Sequence, residues 1–251
     1  MDLQLTGKTA LVTGASRGIG RAIAKGLAAE GVHVAIAARR VGLLEELASH
    51  IERAGGTPPP VIEVDLYQPD SPGRLAAVAA QRLGRIDILI NAAGGSRSIP
   101  FDATLEQWDE GMMVNFFRLR ELSHAVIPGM RQNGYGRIIN ITGSSEPRGL
   151  NVANSAKAAV HAWAKGLSRE VAKHGITVNS LQPGRILTEQ ILRMHPTPEN
   201  RAEFAAREIP MGRFGEPEEF AHVAIFLASP RASYVTGTVL PIDGGMSKFA
   251  F

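Results

Sequence analysis

The chain has no cysteine, which excludes a disulfide framework and thiolate chemistry. Aromatic residues make up only 6% of it, and three tyrosines leave few phenol groups for proton transfer. No stretch approaches the roughly 18 apolar residues of a membrane span, and no block of like charge accompanies the calculated pI of 9.4. Because a nucleic-acid surface needs clustered basic residues, we expect neither a membrane protein nor a nucleic-acid-binding one.

The amino-terminal residues also lack a pattern. Met1 to Leu5 do not combine a basic region with a following apolar run, as a signal peptide does. We therefore expect the protein to be cytoplasmic.

Apolar runs alternate with helical segments along nearly the whole chain, whose 251 residues suit one domain, 1–251. Apolar strands separated by helices pair in parallel, with both sheet faces covered. The pattern predicts an α/β Rossmann fold with a doubly wound parallel sheet of about seven strands. The strands are expected at 9–12, 32–38, 61–64, 86–90, 137–141, 176–181 and 239–242.

Two long helices are expected at 105–130 and 152–173. A segment at about 186–214 interrupts the alternation after the sixth strand, where an open sheet places its ligand crevice. We predict a substrate lid there, although an inert insertion is the alternative. Its side chains Leu192, Met194 and Phe204 favour an apolar pocket.

A glycine-rich loop joins the first strand to the first helix, with the sequence Thr-Gly-Ala-Ser-Arg-Gly-Ile-Gly at 13–20. Gly14 permits a turn with positive φ, and Gly18 and Gly20 remove Cβ atoms where a pyrophosphate would approach. The helix then offers free N–H groups and its positive dipole end to phosphate. In this context the pattern predicts a dinucleotide site, with cofactor-binding residues Gly14, Ser16, Arg17, Gly18, Ile19 and Gly20.

The end of the second strand bears on the choice of cofactor. It has the sequence Ala-Ala-Arg-Arg at 37–40, with no carboxylate for the adenosine ribose. Arg17 and Arg39 can bracket a 2′-phosphate with charge-assisted hydrogen bonds. This pattern predicts NADP(H) over NAD(H). Solvated arginines are the alternative, and they leave NAD(H) open as a cofactor.

With these features, nearly the whole chain resembles the short-chain dehydrogenase/reductase family, most of all its 3-oxoacyl-acyl-carrier-protein reductase-like branch. The resemblance rests on motifs that follow one another in the expected order. Beyond the glycine loop they are Asp65, the segment 91–94, Asn115, Lys157, the segment 183–188 and the tail 213–245.

The resemblance implies roles at matching positions. Asp65 is expected to bind the adenine end, and Asn91 and Gly94 to shape the floor under the adenosine ribose. Lys157 is expected to hold the nicotinamide ribose, and Asn115 to kink the fourth helix and hold a water leading to Lys157. The remaining cofactor-binding residues are Pro183, Gly184, Ile186 and Thr188, the last two at the nicotinamide.

The resemblance further implies a small carbonyl or alcohol substrate and a homotetramer or homodimer. In this family the long fourth and fifth helices pair between subunits. Small residues in the expected fifth helix are consistent with such pairing. They are Ala156, Ala158, Ala159, Ala162 and Ala164.

One family residue is missing from the pattern. In the family's usual mechanism a tyrosine four residues before the lysine gives or takes the proton, and the lysine lowers its pKa. Here Ala153 stands at that position, and Tyr67, Tyr135 and Tyr234 belong to other segments. The hydroxyl that holds the substrate oxygen is expected at Ser144 first and Ser145 second, with simple loop serines as the alternative.

Three explanations of Ala153 remain open. A divergent enzyme can use another acid, namely Glu146, Lys157 through a water, or a water bound to Ser144. A tyrosine can have been removed by design, although the shortened loop before the fifth helix argues against it. Alternatively, the fold is a non-catalytic dinucleotide-binding sensor or scaffold.

A substrate such as an imine, which carries its own proton, is a further alternative to a ketone. The four helical histidines are interpreted as surface or core residues and not as a metal site. They are His124, His161, His174 and His222.

Overall fold

The computed structural model describes residues 1–95, 98–144, 146–147 and 149–249. Within them, seven strands form one sheet in the order β3-β2-β1-β4-β5-β6-β7, and every pair is parallel. The predicted doubly wound α/β sheet is confirmed. The strands are β1 (Thr9–Thr13), β2 (His33–Ala38), β3 (Val61–Glu63), β4 (Ile88–Asn91), β5 (Gly136–Ile141), β6 (Ile176–Pro183) and β7 (Val239–Ile242).

Helices cover both faces of the sheet. The described helices are α1 (Gly18–Ala29), α2 (Val41–Arg53), α3 (Ser71–Leu83), α4 (Leu105–Met112), α5 (Arg118–Asn133), α6 (Val152–Val171), α7 (Glu189–Met194), α8 (Pro198–Glu208) and α9 (Pro217–Ala228). None of them combines the length and hydropathy needed to cross a bilayer.

Two apolar clusters lie on opposite faces of the sheet. On one face, Ile23 and Leu27 of α1 pack with Phe220 of α9. On the other, Leu75 of α3 and Leu122 of α5 pack against the strands. Burial on both faces explains why strands such as β1 and β4 have continuous apolar runs and show no alternation.

The stretch expected to be helical at 105–130 is helical throughout, but it contains a π turn at the place where Asn115 was expected to kink it. The chain forms α4, then a π-helical turn at Met113–Phe117, then α5. Asn115 lies within the turn and donates a hydrogen bond to the carbonyl of Gly111 at 2.9 Å. A π turn admits one extra residue into the helix and re-aims the backbone there.

The segment expected as a lid folds into α7 and α8 around a small apolar cluster of its own. Ile191, Phe204 and Phe214 form its centre. Leu192 and Met194 are exposed, whereas Phe204 is buried inside the cluster. Phe204 was one of the three side chains expected to line a pocket. In the structure it instead stabilises the segment itself.

Candidate functional site

The carboxyl ends of β1, β4, β5 and β6 lie side by side. The register pairs Thr13 with Asn91, Asn91 with Asn140, and Asn140 with Ser180. The chain leaves β1 toward β2 on one side and later returns to β4 on the other. This reversal opens a crevice at the strand ends, where ligands bind in open α/β sheets.

The glycine loop after β1 is packed against the end of β4. Gly14 has a φ of +64°, and a Cβ there would lie 2.7 Å from the carbonyl oxygen of Ala92. Gly18 also has positive φ, and its Cβ would lie 2.9 Å from Cγ2 of Thr188. The loop therefore requires glycine for its conformation and for its closeness to β4 and to the segment after β6.

The amino end of α1 fits a pyrophosphate. Its N-cap residue, Arg17, is extended and makes no capping hydrogen bond through its side chain, and the first turn holds no acidic residue. Backbone N–H groups at such an end need an outside acceptor. Together with the helix dipole they form an anion site. Ser16 and Ile19 lie beside it in the loop and are both partly buried.

The residues expected at the adenosine end lie close together. Arg39 follows β2, and its guanidinium carbon is 5.8 Å from the ring centre of Tyr67. Asp65 follows β3, and its Oδ1 accepts a hydrogen bond from the backbone N–H of Tyr67 at 3.1 Å. The neighbouring strands β2 and β3 thus place both residues around one tyrosine.

Asn91 and Thr13 brace the floor of the crevice. Nδ2 of Asn91 donates to Oγ of Ser123 at 3.0 Å and to Oδ1 of Asn140 at 2.9 Å. Oγ1 of Thr13 accepts from the backbone N–H groups of Ala92 and Ala93. The side chain of Asn91 therefore faces α5, and the sequence analysis did not single out Thr13.

Asn115 ties the π turn to the loop after β4. Its Nδ2 donates to the carbonyl of Gly95, and its Oδ1 accepts from the N–H of Gly95, both at 3.1 Å. A Cβ at Gly94 would lie 2.8 Å from Oδ1 of Asn115. Gly94 therefore lets the loop approach this side chain, while the water expected at Asn115 stays a prediction.

Lys157 lies on α6 and reaches the end of β5. Its Nζ donates to the backbone carbonyl of Thr142 at 2.8 Å. Burial lowers the pKa of Lys157 to about 8 from an ordinary 10.5. Ala153, one turn earlier, is 2% exposed and has no ionisable group. A Cβ at Gly143 would lie 3.2 Å from Cδ of Lys157, so the chain carries little bulk beside the lysine stem.

His161 contacts the same threonine. Its Nε2 lies 2.8 Å from Oγ1 of Thr142. Burial lowers the pKa of the imidazole, and the charge of Lys157 lowers it further. The interpretation of His161 as a plain surface or core histidine overlooked this contact. Its spacing of four residues from Lys157, which puts both on one helix face, was the available signal.

Two of the proposed acid groups are engaged elsewhere. Oγ of Ser144 accepts a hydrogen bond from the backbone N–H of Glu146 at 3.0 Å. Oε1 of Glu146 accepts from the backbone N–H groups of Lys248 and Phe249 at 2.7 and 3.1 Å. Within the described chain, neither side chain has a recorded hydrogen bond to Lys157. Ser145 lies outside the described residues.

The tyrosines lie in other parts of the molecule. Tyr135 donates to the carbonyl of Ala228 near the start of β5, and burial raises its pKa to about 12. Tyr67 follows β3, and Tyr234 precedes β7 and is fully exposed. None of them occupies the helix turn before Lys157.

The segment after β6 holds the residues that were expected at the nicotinamide. Gly184 follows Pro183, and a Cβ on it would lie 2.5 Å from Cα of Asp243. The side chain of Ile186 is buried, so its backbone is the part available to a ligand. Thr188 caps α7 by accepting the N–H of Ile191 through its hydroxyl.

A groove of about 260 Å³ runs between α1 and α7, lined among others by Gly18 and Thr188. A larger depression of about 480 Å³ lies between α1 and α2 and holds none of the expected site residues. Across the described residues, no group of three histidine, aspartate or glutamate side chains is placed to hold a metal ion.

Comparison with known proteins agrees with this geometry. Residues 14–247 match the sequence profile of a family described as enoyl-(acyl carrier protein) reductase. The chain is 36% identical to the 3-oxoacyl-[acyl-carrier-protein] reductase of Vibrio cholerae, covering 97% of this chain and 99% of that protein. It is 40% identical to the acetoacetyl-CoA reductase of Rhizobium meliloti, covering 95% and 98%.

A solved structure shows the same likeness. The L-sorbose reductase of Gluconobacter frateurii, complexed with NADPH and L-sorbose, superposes with a TM-score of 0.94 at 32% identity, covering 99% of this chain and 100% of that one. Fold, strand order, glycine loop and sequence identity thus agree. The chain belongs to the short-chain dehydrogenase/reductase family of NAD(P)-dependent oxidoreductases.

Proposed function

We propose that this protein interconverts a carbonyl and an alcohol with NADP(H), and that Lys157 supplies the proton, directly or through a water. The observation that carries the proposal is the lysine itself. Its ammonium is buried, is held by the carbonyl of Thr142 at 2.8 Å and has a pKa of about 8. A group with a pKa near working pH is suited to general acid–base catalysis.

The residues present fit a nicotinamide dinucleotide. When bound, the nicotinamide would supply or accept the hydride. The uncapped amino end of α1 would bind the pyrophosphate. Lys157 would hold the nicotinamide ribose, and the backbone at Ile186 would face the nicotinamide.

The other candidate acids are less well placed. The carboxylate of Glu146 accepts two backbone N–H groups from the C-terminal segment. The hydroxyl of Ser144 is used in a turn with Glu146. Lys157 is the remaining candidate of the three.

NADP(H) is the proposed cofactor, and Arg17 and Arg39 are its proposed 2′-phosphate contacts. The related L-sorbose reductase was solved with NADPH, and no carboxylate follows β2 in this chain. The variant Arg39→Asp should lower the preference for NADPH over NADH by roughly 10- to 100-fold, since a carboxylate there repels the phosphate. Arg169→Asp, on an exposed turn of α6, makes the same charge change as a control. An unaltered preference in Arg39→Asp would remove Arg39 from the site.

Reduction of a double bond conjugated to a carbonyl is a second candidate. Ala153 brings no hydroxyl to the substrate oxygen, and the matched family is described as an enoyl reductase. In such a reaction the hydride adds to the β-carbon and a solvent proton to the α-carbon. The ammonium of Lys157 would then stabilise the charge that develops on the oxygen, without giving up its proton.

A substrate panel tests both functions. NADPH oxidation is followed with ketones, β-ketoesters, diketones, quinones, imines and conjugated enones, in the native protein and in Lys157→Ala. We expect turnover in the native protein and its loss in the variant, with exposed Lys173→Ala unaffected. NADPH binding without turnover on any compound would favour a sensor or scaffold.

The variant Ala153→Tyr tests the missing hydroxyl. A phenol one turn before Lys157 would gain a stabilising ammonium neighbour, and we expect faster ketone reduction if the side chain is accommodated. A melting curve checks that the crowded variant folds. A folded variant without any gain would mean that the proton does not limit turnover.

We also propose a homotetramer with α5 and α6 at an interface. Ala158 and Ala162 of α6 are exposed, and Phe117 before α5 is 37% exposed. Small residues permit close helix packing. Light scattering on the purified protein should give four times the mass of 26.8 kDa, and a monomer would contradict the proposal.

A further inference from the structure

Thr142 occupies an unusual place between the sheet and α6. It is 1% exposed and lies one residue beyond the end of β5. Its backbone N–H still donates to the carbonyl of Leu181 at 2.9 Å. Its own carbonyl lies outside the strand ladder and is followed by Gly143. The direction of that carbonyl therefore depends on the torsion of Thr142 more than on the sheet.

Two side chains of α6 meet at this one residue. Lys157 donates to the carbonyl oxygen of Thr142, and His161 lies against its hydroxyl, both at 2.8 Å. The spacing of four residues places Lys157 and His161 on one face of the helix, one turn apart. Thr142 thus links the lysine to the histidine.

The hydroxyl of Thr142 has a single proton, which fixes the direction of its hydrogen bond with His161. Oγ1 of Thr142 donates its single proton to the carbonyl of Leu181 at 3.1 Å. It must then accept from His161, so Nε2 of the imidazole carries a hydrogen. The side chain of Thr142 is therefore held from two sides, by β6 and by α6.

We propose that His161 is a positioning residue for the reaction: it fixes Thr142, and through the carbonyl of Thr142 it fixes the ammonium of Lys157. The inference rests on the proposed function, in which Lys157 gives the proton. Because a misplacement of about 1 Å can cost roughly 100-fold in rate, a contact behind the lysine can control turnover without touching the substrate.

Loss of this bond has a consequence at Lys157. If the carbonyl of Thr142 turns away, the buried ammonium loses its acceptor and its charged form is less stable, so its pKa falls below about 8. Within the described chain no carboxylate contributes to the pKa shift of Lys157 or of His161.

Four variants test the proposal. His161→Leu removes the donor, and His161→Gln keeps an N–H at nearly the same reach. Thr142→Val removes the acceptor but keeps the carbonyl, and the double variant His161→Leu/Thr142→Val completes a cycle. His222→Leu, on the exposed surface of α9, serves as the control for loss of a histidine.

Two readouts are needed, because a merely structural histidine would lower only the melting temperature. The first is kcat on a substrate found in the panel. The second is the dissociation constant of NADPH between pH 6.5 and 9.5, which follows the titration of Lys157 without requiring turnover. Its midpoint in the native protein is expected near the lysine pKa of about 8.

We expect kcat of His161→Leu to fall roughly 10- to 100-fold and its binding midpoint to move to lower pH. His161→Gln should recover most of both, and the double variant should be no worse than the poorer single one. A folded His161→Leu with native midpoint and kcat would overturn the inference while leaving Lys157 as the donor. Absence of NADPH binding in the native protein would instead overturn the proposed function and the inference with it.

Discussion

The proposed chemistry depends on one partly buried lysine, Lys157. Its pKa of about 8 against an ordinary 10.5 means that burial penalises the ammonium. Below pH 8 the lysine is charged in both the folded and the unfolded chain, so the full free-energy cost of burying the ammonium opposes folding. Between about pH 8 and 10.5 the unfolded chain binds more protons, and the penalty is progressively relieved as pH rises.

Lys157→Met should therefore stabilise the cofactor-free protein at pH 7, because it removes the buried charge and keeps the length of the stem. A rise of a few degrees in melting temperature is expected, since ~1 kcal/mol shifts a chain of this size by roughly 2–4 °C. The gain should shrink as the pH approaches 10.5, and NADPH affinity should fall. Exposed Lys173→Met is the control, and a variant that melts lower at pH 7 would show that the ammonium stabilises the fold.

At the scale of single residues, the sequence predicts only part of the candidate site. Lys157 and Asn115 are predicted from family motifs, and Gly14 and Gly18 from their spacing before a helix. The contacts of Thr142, Gly143 and His161 were not predicted, because they depend on how closely α6 approaches the end of β5. Neither local spacing nor periodicity encodes that distance between two distant segments.

Among the elements, the π turn at Met113–Phe117 does most to shape the site. Asn115 makes three hydrogen bonds there, two to Gly95 and one to Gly111. It is 3% exposed, so its loss would leave backbone groups of the loop and helix without partners. One side chain thus ties the turn to the loop after β4.

Asn115→Ala should lower the free energy of unfolding by about 1–3 kcal/mol, the cost of leaving buried polar groups unpaired. It should also weaken NADPH binding, because the loop after β4 loses its tie to the helix. Denaturant titration and cofactor titration measure the two effects, with exposed Asn133→Ala as the matched control. Native stability in Asn115→Ala would mean that water replaces the side chain without cost.

Elements with a strong apolar pattern were predicted well, and those with a weak one were not. The glycine loop and the seven strands were found, with boundaries off by one or two residues. Helix α3 was not predicted from the sequence, because alanine and polar residues dominate it and its buried face is small. The irregularity between α4 and α5 was expected only from the family resemblance at Asn115, because a π turn leaves the apolar period almost unchanged on either side.

In the molecule as a whole, the candidate site lies at the carboxyl ends of the strands, and a polar cluster around Arg137 lies at their amino ends. At the amino ends of the strands, the guanidinium of Arg137 is 2% exposed and donates to the carbonyls of Gly136, Gly175 and Ser229. It also lies 4.3 Å from the ring centre of Tyr135. Both sheet ends are thus rich in polar contacts, and the proposed ligand site lies at the carboxyl end, beside the amino end of α1.

Arg137→Met should lower the free energy of unfolding by roughly 3 kcal/mol, because charged hydrogen bonds are lost and three carbonyls lose a donor. NADPH affinity in the folded variant should stay within about twofold, since the change lies at the opposite sheet end. Urea titration and cofactor fluorescence test this, with exposed Arg74→Met as control. A large loss of affinity would show that the two ends are coupled.

The fold could be predicted from the sequence because alternating apolar strands and helices admit few arrangements. The number of strands, their parallel pairing and the crevice at the switch point follow from that rule. Substrate identity does not follow from it, because it depends on how the segment 186–214 packs over the crevice. Phe204 shows the difficulty, since the same apolar side chain serves equally well as lid core or as pocket wall.

The central claim is that the ammonium of Lys157 gives the proton. The most direct test is kcat for carbonyl reduction at saturating NADPH between pH 6.5 and 9.5. Because the donor must be protonated, kcat should be constant at low pH and fall above about 8 with the loss of one proton. A kcat that stays constant or rises across this range would contradict the assignment of Lys157 as the donor.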